Sequence, residues 1–369
     1  MPSDTASGLR HTDADDDLYC TSERVLLLAP SRGLGGGIER YIDTLEWAFA
    51  DQRIPSHRID LDRPGLRAHM KLLANGRTLL RASATRTRLV VGHRALMPVA
   101  TLLARDPMVS GISILCYGCD VWNERHRPRT SIERALMRRS NVRAVAISGF
   151  TAGTLALDCQ STILPPALSH SWFETLSAAS TAVQRPAQGT QLATAFRLDD
   201  WLNKGLPQLV EAITLQRRKD IRLTICGSGE PPPDLLRLID SHDWCNLRVG
   251  LTDGELAAEL ASADLFVLAT RTRTGRHANG EGFGLVLLEA QVAGTPVIAP
   301  AYGGSSDAYV EGATGIAPVE ESAEALASAI EEMLENPVRL ALMRKRAAQW
   351  ARESFAPELY PRLVVSKLL

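Results

Sequence analysis

Two periods of hydrophobicity alternate along the chain. Residues 25–29 form an unbroken apolar run suited to a buried strand, and behind them Ile38, Ile42, Leu45 and Phe49 recur on one helical face. The same alternation predicts strands over 57–61, 89–91, 112–116 and 144–147. It resumes with strands over 192–195, 222–226, 247–249, 265–268 and 296–299, and with helices from about Leu206 and over 285–293. Strand and helix in turn are the pattern of parallel sheets covered by helices. A stretch rich in Ser, Ala, Thr, Gln and Pro, residues 177–191, interrupts it and is the expected linker. The expectation is an α/β protein of two Rossmann-like, doubly wound domains, residues 23–180 and 190–340, facing a central cleft. A helical segment over 341–369 is expected to return to the first domain. Open parallel sheets bind ligands at the carboxyl ends of their strands, so chemistry is expected in the cleft.

Composition narrows the class. A chain of 369 residues exceeds one ordinary core, and 45% hydrophobic content with 22% charged is globular. Residues 1–22, with Asp13, Asp15, Asp16 and Asp17 among small polar residues, are expected to be a disordered tail. That acidic start is unlike a signal peptide, and no apolar run approaches the ~20 residues that cross a bilayer, so a cytoplasmic location is expected. The cysteines (Cys20, Cys116, Cys119, Cys159, Cys226, Cys245) are scattered as reduced thiols would be. Cys116 and Cys119 lack the second pair a zinc site needs.

Charge adds one asymmetry to a formal net of −1: from Arg63 to Arg143 there are 16 Lys or Arg against four acids. This positive face is either solvated surface or a contact with an anionic acceptor or an anionic membrane. Leu66, Met70, Leu73 and Leu80 can share one helical face beside Arg67, Lys71, Arg77 and Arg81, which suits either packing on the sheet or peripheral membrane contact. Nucleic acid is not an expected partner.

Three signals carry chemistry. Gly33, Gly35, Gly36 and Gly37 lie at a strand-to-helix turn, where backbone N–H groups and the helix N-terminus attract an anion such as phosphate. A tight turn would use the same residues, and the dinucleotide fingerprint fails because Ile38 stands where its third glycine belongs. The second signal is stronger: Gly280-Glu281-Gly282-Phe283-Gly284, then Glu289 in the helix that follows, then Gly294 and Gly303-Gly304. Glu281 and Glu289 are eight positions apart, at most ~12 Å at helical rise, a scale that lets one meet a sugar and the other a ribose of one nucleotide sugar. Third, Arg197 and Lys204 follow a strand and precede the turn Gly227-Ser228-Gly229, a placement that suits a diphosphate.

Together these residues resemble the retaining GT-B glycosyltransferases of family four, which include mannosyl- and glucosyltransferases of cell-envelope and secondary-metabolite pathways. The likeness runs from about Val25 to the carboxyl terminus and is most specific between Arg197 and Gly315. It implies that Glu281, with Gly282, Phe283 and Gly284, meets the donor sugar, that Glu289 binds the ribose, and that Arg197 and Lys204 neutralise the diphosphate. It further implies that Gly35, Gly36 and Gly37 approach the diphosphate from the other domain, that His93 lies near the cleft, and that residues 148–151 form a serine-bearing turn.

The chain departs from the family in three places. Tyr117-Gly118 stands where His-Gly is usual, leaving catalytic work open between Tyr117 and His93. Six residues separate Arg197 from Lys204 where four are common. The loop over 270–279 is long and is expected to be mobile over the donor. No metal or cofactor is expected; Asp60-Leu61-Asp62 copies an Asp-x-Asp motif but ends a first-domain strand and is read as surface acids. The expected reaction transfers a hexose with retention from a UDP- or GDP-linked sugar to a sugar, lipid-linked or small-molecule acceptor. A nucleotide-sugar epimerase or hydrolase of the same fold, or a non-catalytic binding module, is the alternative.

Overall fold

The computed structural model describes residues 23–30, 36–118, 128–156, 158–182, 189–274 and 278–369, and the side chains of 128–132 are not among the described parts. The expected tail over 1–22 lies outside them. The first sheet is wholly parallel and holds β1 (Glu23–Ala29), β2 (Ser56–Asp60), β3 (Arg86–Val91), β4 (Val109–Cys116), β5 (Val142–Ala146) and β6 (Ser161–Ile163) in the order β2-β1-β3-β4-β5-β6. In β1, Val25 and Leu27 enter one apolar cluster while Leu26 and Leu28 enter another on the opposite face. Burial on both faces is why this strand is an unbroken apolar run. Helix α1 (Gly37–Asp51) covers one face with Tyr41, Ile42, Leu45 and Phe49; α2 (Leu66–Arg81) and α3 (Met97–Leu103) cover the other. The unit continues with α4 (Pro128–Met137) and α5 (Gly149–Leu155).

Crossing to the second unit occurs ahead of the expected linker. Helix α6 (His170–Ala182) runs through the first part of the Ser/Ala/Thr-rich stretch and buries Trp172, Phe173 and Leu176. It packs on helices of the second unit, α9 and α10 below. Small side chains there permit a close approach: a Cβ on Gly294 would lie 2.6 Å from Ser180 Oγ. A composition that suggests a flexible connection therefore serves helix packing.

The second sheet is also parallel. Its elements in chain order are β7 (Thr190–Arg197), α7 (Leu206–Thr214), β8 (Ile221–Ser228), α8 (Pro233–Asp240), β9 (Cys245–Val249), α9 (Asp253–Ser262), β10 (Leu265–Val267), α10 (Leu285–Val292), β11 (Val297–Ile298) and β12 (Gly315–Ile316), with strand order β12-β11-β10-β7-β8-β9. Helices α11 (Ala323–Glu335) and α12 (Pro337–Ser354) follow, and α13 (Tyr360–Leu368) lies against α1 of the first unit. The carbonyl end of α13 is tied down there: Ser113 Oγ donates to Leu368 O at 2.6 Å, Arg143 to Lys367 O at 2.9 Å and Arg88 to Leu369 O at 3.0 Å. Two cations at a helix carboxyl end also complement its dipole.

Several sequence expectations resolve at the periphery. Of the apolar stripe on α2, Leu73 and Leu80 are buried, whereas Leu66 is 79% and Met70 56% exposed. Asp60 and Asp62 are engaged by Arg58 and Lys71, at 2.7 and 2.5 Å. Burial pushes the Cys226 and Cys245 thiols up to about 12, which leaves them protonated and unreactive at neutral pH. No helix among the described residues is long and apolar enough to cross a membrane.

The two units touch through backbone. A Cβ on Gly282 would collide with the Tyr117 carbonyl oxygen, and one on Gly304 with Gly282 O and Ser148 Oγ. Beside them the Gly149 N–H donates to Asp307 Oδ2 at 2.6 Å. Gly304→Ala should therefore part the two units or deform both loops, lowering stability by about 1–3 kcal/mol and enlarging the radius of gyration. Gly254→Ala, where a Cβ meets nothing within 4 Å, is the control. Urea unfolding and small-angle scattering check this; equal behaviour of the two variants contradicts it.

Candidate functional site

Strand order locates the site. In the first sheet the order reverses between β1 and β3, and in the second between β7 and β10, so crevices open at the carboxyl ends of those four strands. The first-sheet crevice receives Gly36 and Gly37 after β1 and His93 after β3. The second receives Arg197 at the end of β7, with Thr270 and Glu281 after β10. Gly36, at φ 116°, precedes α1, and a Cβ there would lie 3.3 Å from Arg197 Cδ. The glycine turn of one unit thus rests on the arginine of the other. Gly35 lies outside the described residues.

Each glutamate is half engaged. Glu281 Oε2 accepts from Lys204 Nζ at 3.0 Å and from Thr270 Oγ1 at 2.9 Å, while the Glu281 carbonyl accepts from the Gly304 N–H at 2.8 Å. Among the described residues its Oε1 takes no hydrogen bond. Glu289, buried on α10, accepts at Oε1 from Trp172 Nε1 at 2.9 Å, and Arg40 Nε lies 3.9 Å from the same oxygen. Gly284, at φ 82°, provides the left-handed turn that starts α10 and thereby sets the separation of the two acids. Lys204, separated from Arg197 by six residues, reaches Glu281, while Arg197 pairs with Asp199 and keeps its side chain 45% exposed.

Two of the expected contact residues have buried rings. Phe283 turns its ring into the core, 6.1 Å from Phe355 between centroids, where it supports the loop. Tyr117 is likewise buried, edge-on to Tyr41 and stacked on His93, and it is its carbonyl that meets Gly282. His93 is half-buried; its Nδ1 accepts from the Ala95 N–H at 3.1 Å, which places the proton of the neutral ring on Nε2.

The long loop is tied at its stem. Arg273 and Asn279 pair as an antiparallel bridge, and Glu321 accepts from the Thr272 N–H at 2.7 Å and pairs with Arg271 at 3.5 Å; residues 275–277 lie outside the described ones. Sequence reasoning missed Arg40, Thr270 and Trp172 as neighbours of the two glutamates. Arg40 lies one turn beyond the glycine loop, the single local signal that could have suggested it. Among the described residues no three His, Cys, Asp or Glu side chains gather as metal ligands would.

Comparison with known proteins bears on the second unit and on the fold. Residues 191–353 match the family described as glycosyl transferases group 1. The chain is 32% identical over 157 residues to the GDP-mannose-dependent alpha-(1-6)-phosphatidylinositol monomannoside mannosyltransferase of Mycolicibacterium smegmatis, covering 41% of each protein. It is 35% identical over 164 residues to the D-inositol 3-phosphate glycosyltransferase of Pseudarthrobacter chlorophenolicus, covering 40% of this chain and 37% of that protein. The chain thus spans about two fifths of the length of these curated relatives. Its fold is that of the sucrose-phosphate synthase of Thermosynechococcus elongatus, with a TM-score of 0.77 at 18% identity over 93% of this chain and 98% of that one. It is also that of Anabaena HepE, solved in complex with UDP, with a TM-score of 0.72 at 16% identity over 94% and 99%. Residues 191–353 are thus similar to the group 1 glycosyltransferases, and the two sheets together have the GT-B fold.

Proposed function

We propose that the chain is a retaining, metal-independent glycosyltransferase that moves a hexose from a nucleotide-diphosphate sugar to an acceptor hydroxyl. The observation that carries this reading is the pair of half-engaged carboxylates, Glu281 and Glu289, beside Arg197 and Lys204 where the crevices of the two sheets face each other. Glu281 Oε1 is available to donor-sugar hydroxyls and Glu289 Oε2 to the ribose. Relatives named as using GDP-mannose and a fold neighbour solved with UDP support a GDP- or UDP-linked donor.

As the glycosidic bond breaks, charge grows on the diphosphate, and fixed cations offset it without reorganisation. Arg197 supplies a planar fork and Lys204 a point charge, the latter steered by Glu281. In a retaining path without a covalent intermediate, the acceptor attacks from the face the diphosphate leaves, through an oxocarbenium-like state, and a phosphate oxygen takes its proton. His93 Nε2–H is a donor for a sugar hydroxyl. Gly36 and Gly37 place backbone N–H groups at the start of α1 against the phosphate side, next to Arg197. On the acceptor side, exposed Leu66 and Met70 flanked by Arg67 and Lys71 support peripheral contact with an anionic, lipid-linked acceptor surface. Lys71 is held by Asp62, whose carboxyl it keeps below the usual range, so part of that charge is already spent.

Arg197→Ala should lower kcat by ~10² or more because it meets charge that develops in the transition state, whereas Glu289→Gln should mainly raise KM. Steady-state kinetics with GDP- and UDP-sugars check this, and equal KM effects with unchanged kcat contradict it. The same assays distinguish sugar transfer from free sugar released by an epimerase or hydrolase, and from binding alone.

Activity should survive EDTA, since the cations facing the diphosphate belong to the chain. A strict requirement for added Mg²⁺ or Mn²⁺ in the same assay rejects metal independence.

Anionic liposomes should sediment the protein at low salt and release it at high salt, at ~1 kcal/mol per cation near the surface and with screening over ~10 Å. Equal recovery with neutral liposomes, or none with either, points instead to a soluble acceptor.

A further inference from the structure

Glu289 is costly where it stands. It lies 5% exposed on α10, in which every residue but Val286 is buried, and an ionised carboxylate there must be compensated. Compensation is incomplete and one-sided. Trp172 Nε1–H donates to Oε1 at 2.9 Å, and Trp172 itself is 5% exposed. Arg40 sets its guanidinium 4.6 Å over the same indole ring, approaches Oε1 at 3.9 Å, and donates to Asp253 at the start of α9 at 2.9 Å. Burial works against the charge on Arg40, but Glu289 and Asp253 more than offset it and hold the guanidinium protonated. Oε2 takes no hydrogen bond among the described residues, yet it is not among the buried polar atoms without partners. It is therefore open toward the space around it.

A carboxylate with one oxygen locked and the other open is an oriented acceptor. Neither group that locks it belongs to the matched span 191–353: Trp172 comes from α6 and Arg40 from α1 of the first unit. We propose that Trp172 is a positioning residue for Glu289. Its indole N–H fixes Oε1 so that Oε2 meets a ribose hydroxyl of the nucleoside diphosphate, and Arg40, stacked on the indole and paired with Asp253, holds Trp172 in place from across the cleft. This rests on the reading of Glu289 as the ribose ligand. The indole N–H is the group that carries the effect; the ring itself only packs.

Calorimetric titration of the full chain with GDP and UDP and with their 2′,3′-dideoxy counterparts tests it. Wild type should prefer the ribonucleotide by roughly tenfold or more, the scale of a hydrogen bond to a charged group. Trp172→Phe, which keeps an aromatic ring and drops the donor, should reduce that preference to within about threefold while leaving dideoxynucleotide affinity unchanged. Replacement of Trp172 by 3-benzothienylalanine, which keeps the bicyclic shape without the N–H, should do the same and covers the case in which phenylalanine misfolds. Equal weakening for ribo- and dideoxynucleotides, or an undiminished preference in both variants, overturns the inference. Glu289→Gln separates the two levels. If it abolishes the preference while the Trp172 variants keep it, the ribose reading stands and the role of Trp172 falls. If Glu289→Gln keeps the preference, or wild type has none, the ribose reading fails and takes the inference with it.

Discussion

The close approach of two backbones at Gly282 and Gly304 governs the rest of the site. Both glycines lie where a single methyl group would strike a neighbouring loop: Gly282 against the Tyr117 carbonyl of the first unit, Gly304 against Gly282 of its own unit and Ser148 of the first. Because interiors are close-packed, that contact leaves little freedom in the position of the loop between Gly280 and Gly284. Glu281 is set by it directly, since its own carbonyl accepts from the Gly304 N–H and its backbone bridges to Gly303. The left-handed turn at Gly284 then starts α10, and Glu289 follows at a distance fixed by helical rise.

From that anchor the electrostatics follow. Two carboxylates brought into a partly desolvated cleft need partners, and each has them on one oxygen only: Lys204 and Thr270 for Glu281, Trp172 with Arg40 nearby for Glu289. A purely structural ion pair would gain from saturating both oxygens. One oxygen of each is left open, free to accept from water or from a ligand's donors. On the proposed function those donors are sugar and ribose hydroxyls, and a guanidinium such as that of Arg197 suits the phosphates between them.

Most of the scaffold was legible because parallel strands are buried on both faces. Residues 25–29, 89–91 and 192–195 appear as apolar runs for that reason, and the corresponding strands lie where the runs are. Strands β6 (Ser161–Ile163) and β12 (Gly315–Ile316) hold one large apolar residue each and so leave no such run, whereas the equally short β10 and β11 do. Helix α6 is not legible in this way because Ser, Ala and Thr are as common in loops, although their small size is what lets the helix sit against the turn at Gly294. Within the site, the motif around Glu281 and Glu289 located two acids correctly on loop and helix, but motif and orientation are different things. Phe283 and Tyr117 fall at motif positions and yet send their rings inward, because a buried aromatic surface is favoured wherever the core has room.

What sequence could not show is the origin of the groups around Glu289. Trp172 is 117 positions away from it, and Arg40 is 213 from Asp253; no local period links such residues. They meet because α6 is carried over to pack on α9 and α10, while α1 stays with the first sheet and is held there in part by α13. Arg40 therefore spans a boundary that the glycine contacts close, and its three neighbours, Trp172, Glu289 and Asp253, all lie on the far side. Separation of the two units by even one side-chain radius would remove a cation from a buried carboxylate. The geometry of Glu289 is for that reason coupled to closure of the cleft: the same approach that places Glu281 also completes the surroundings of Glu289.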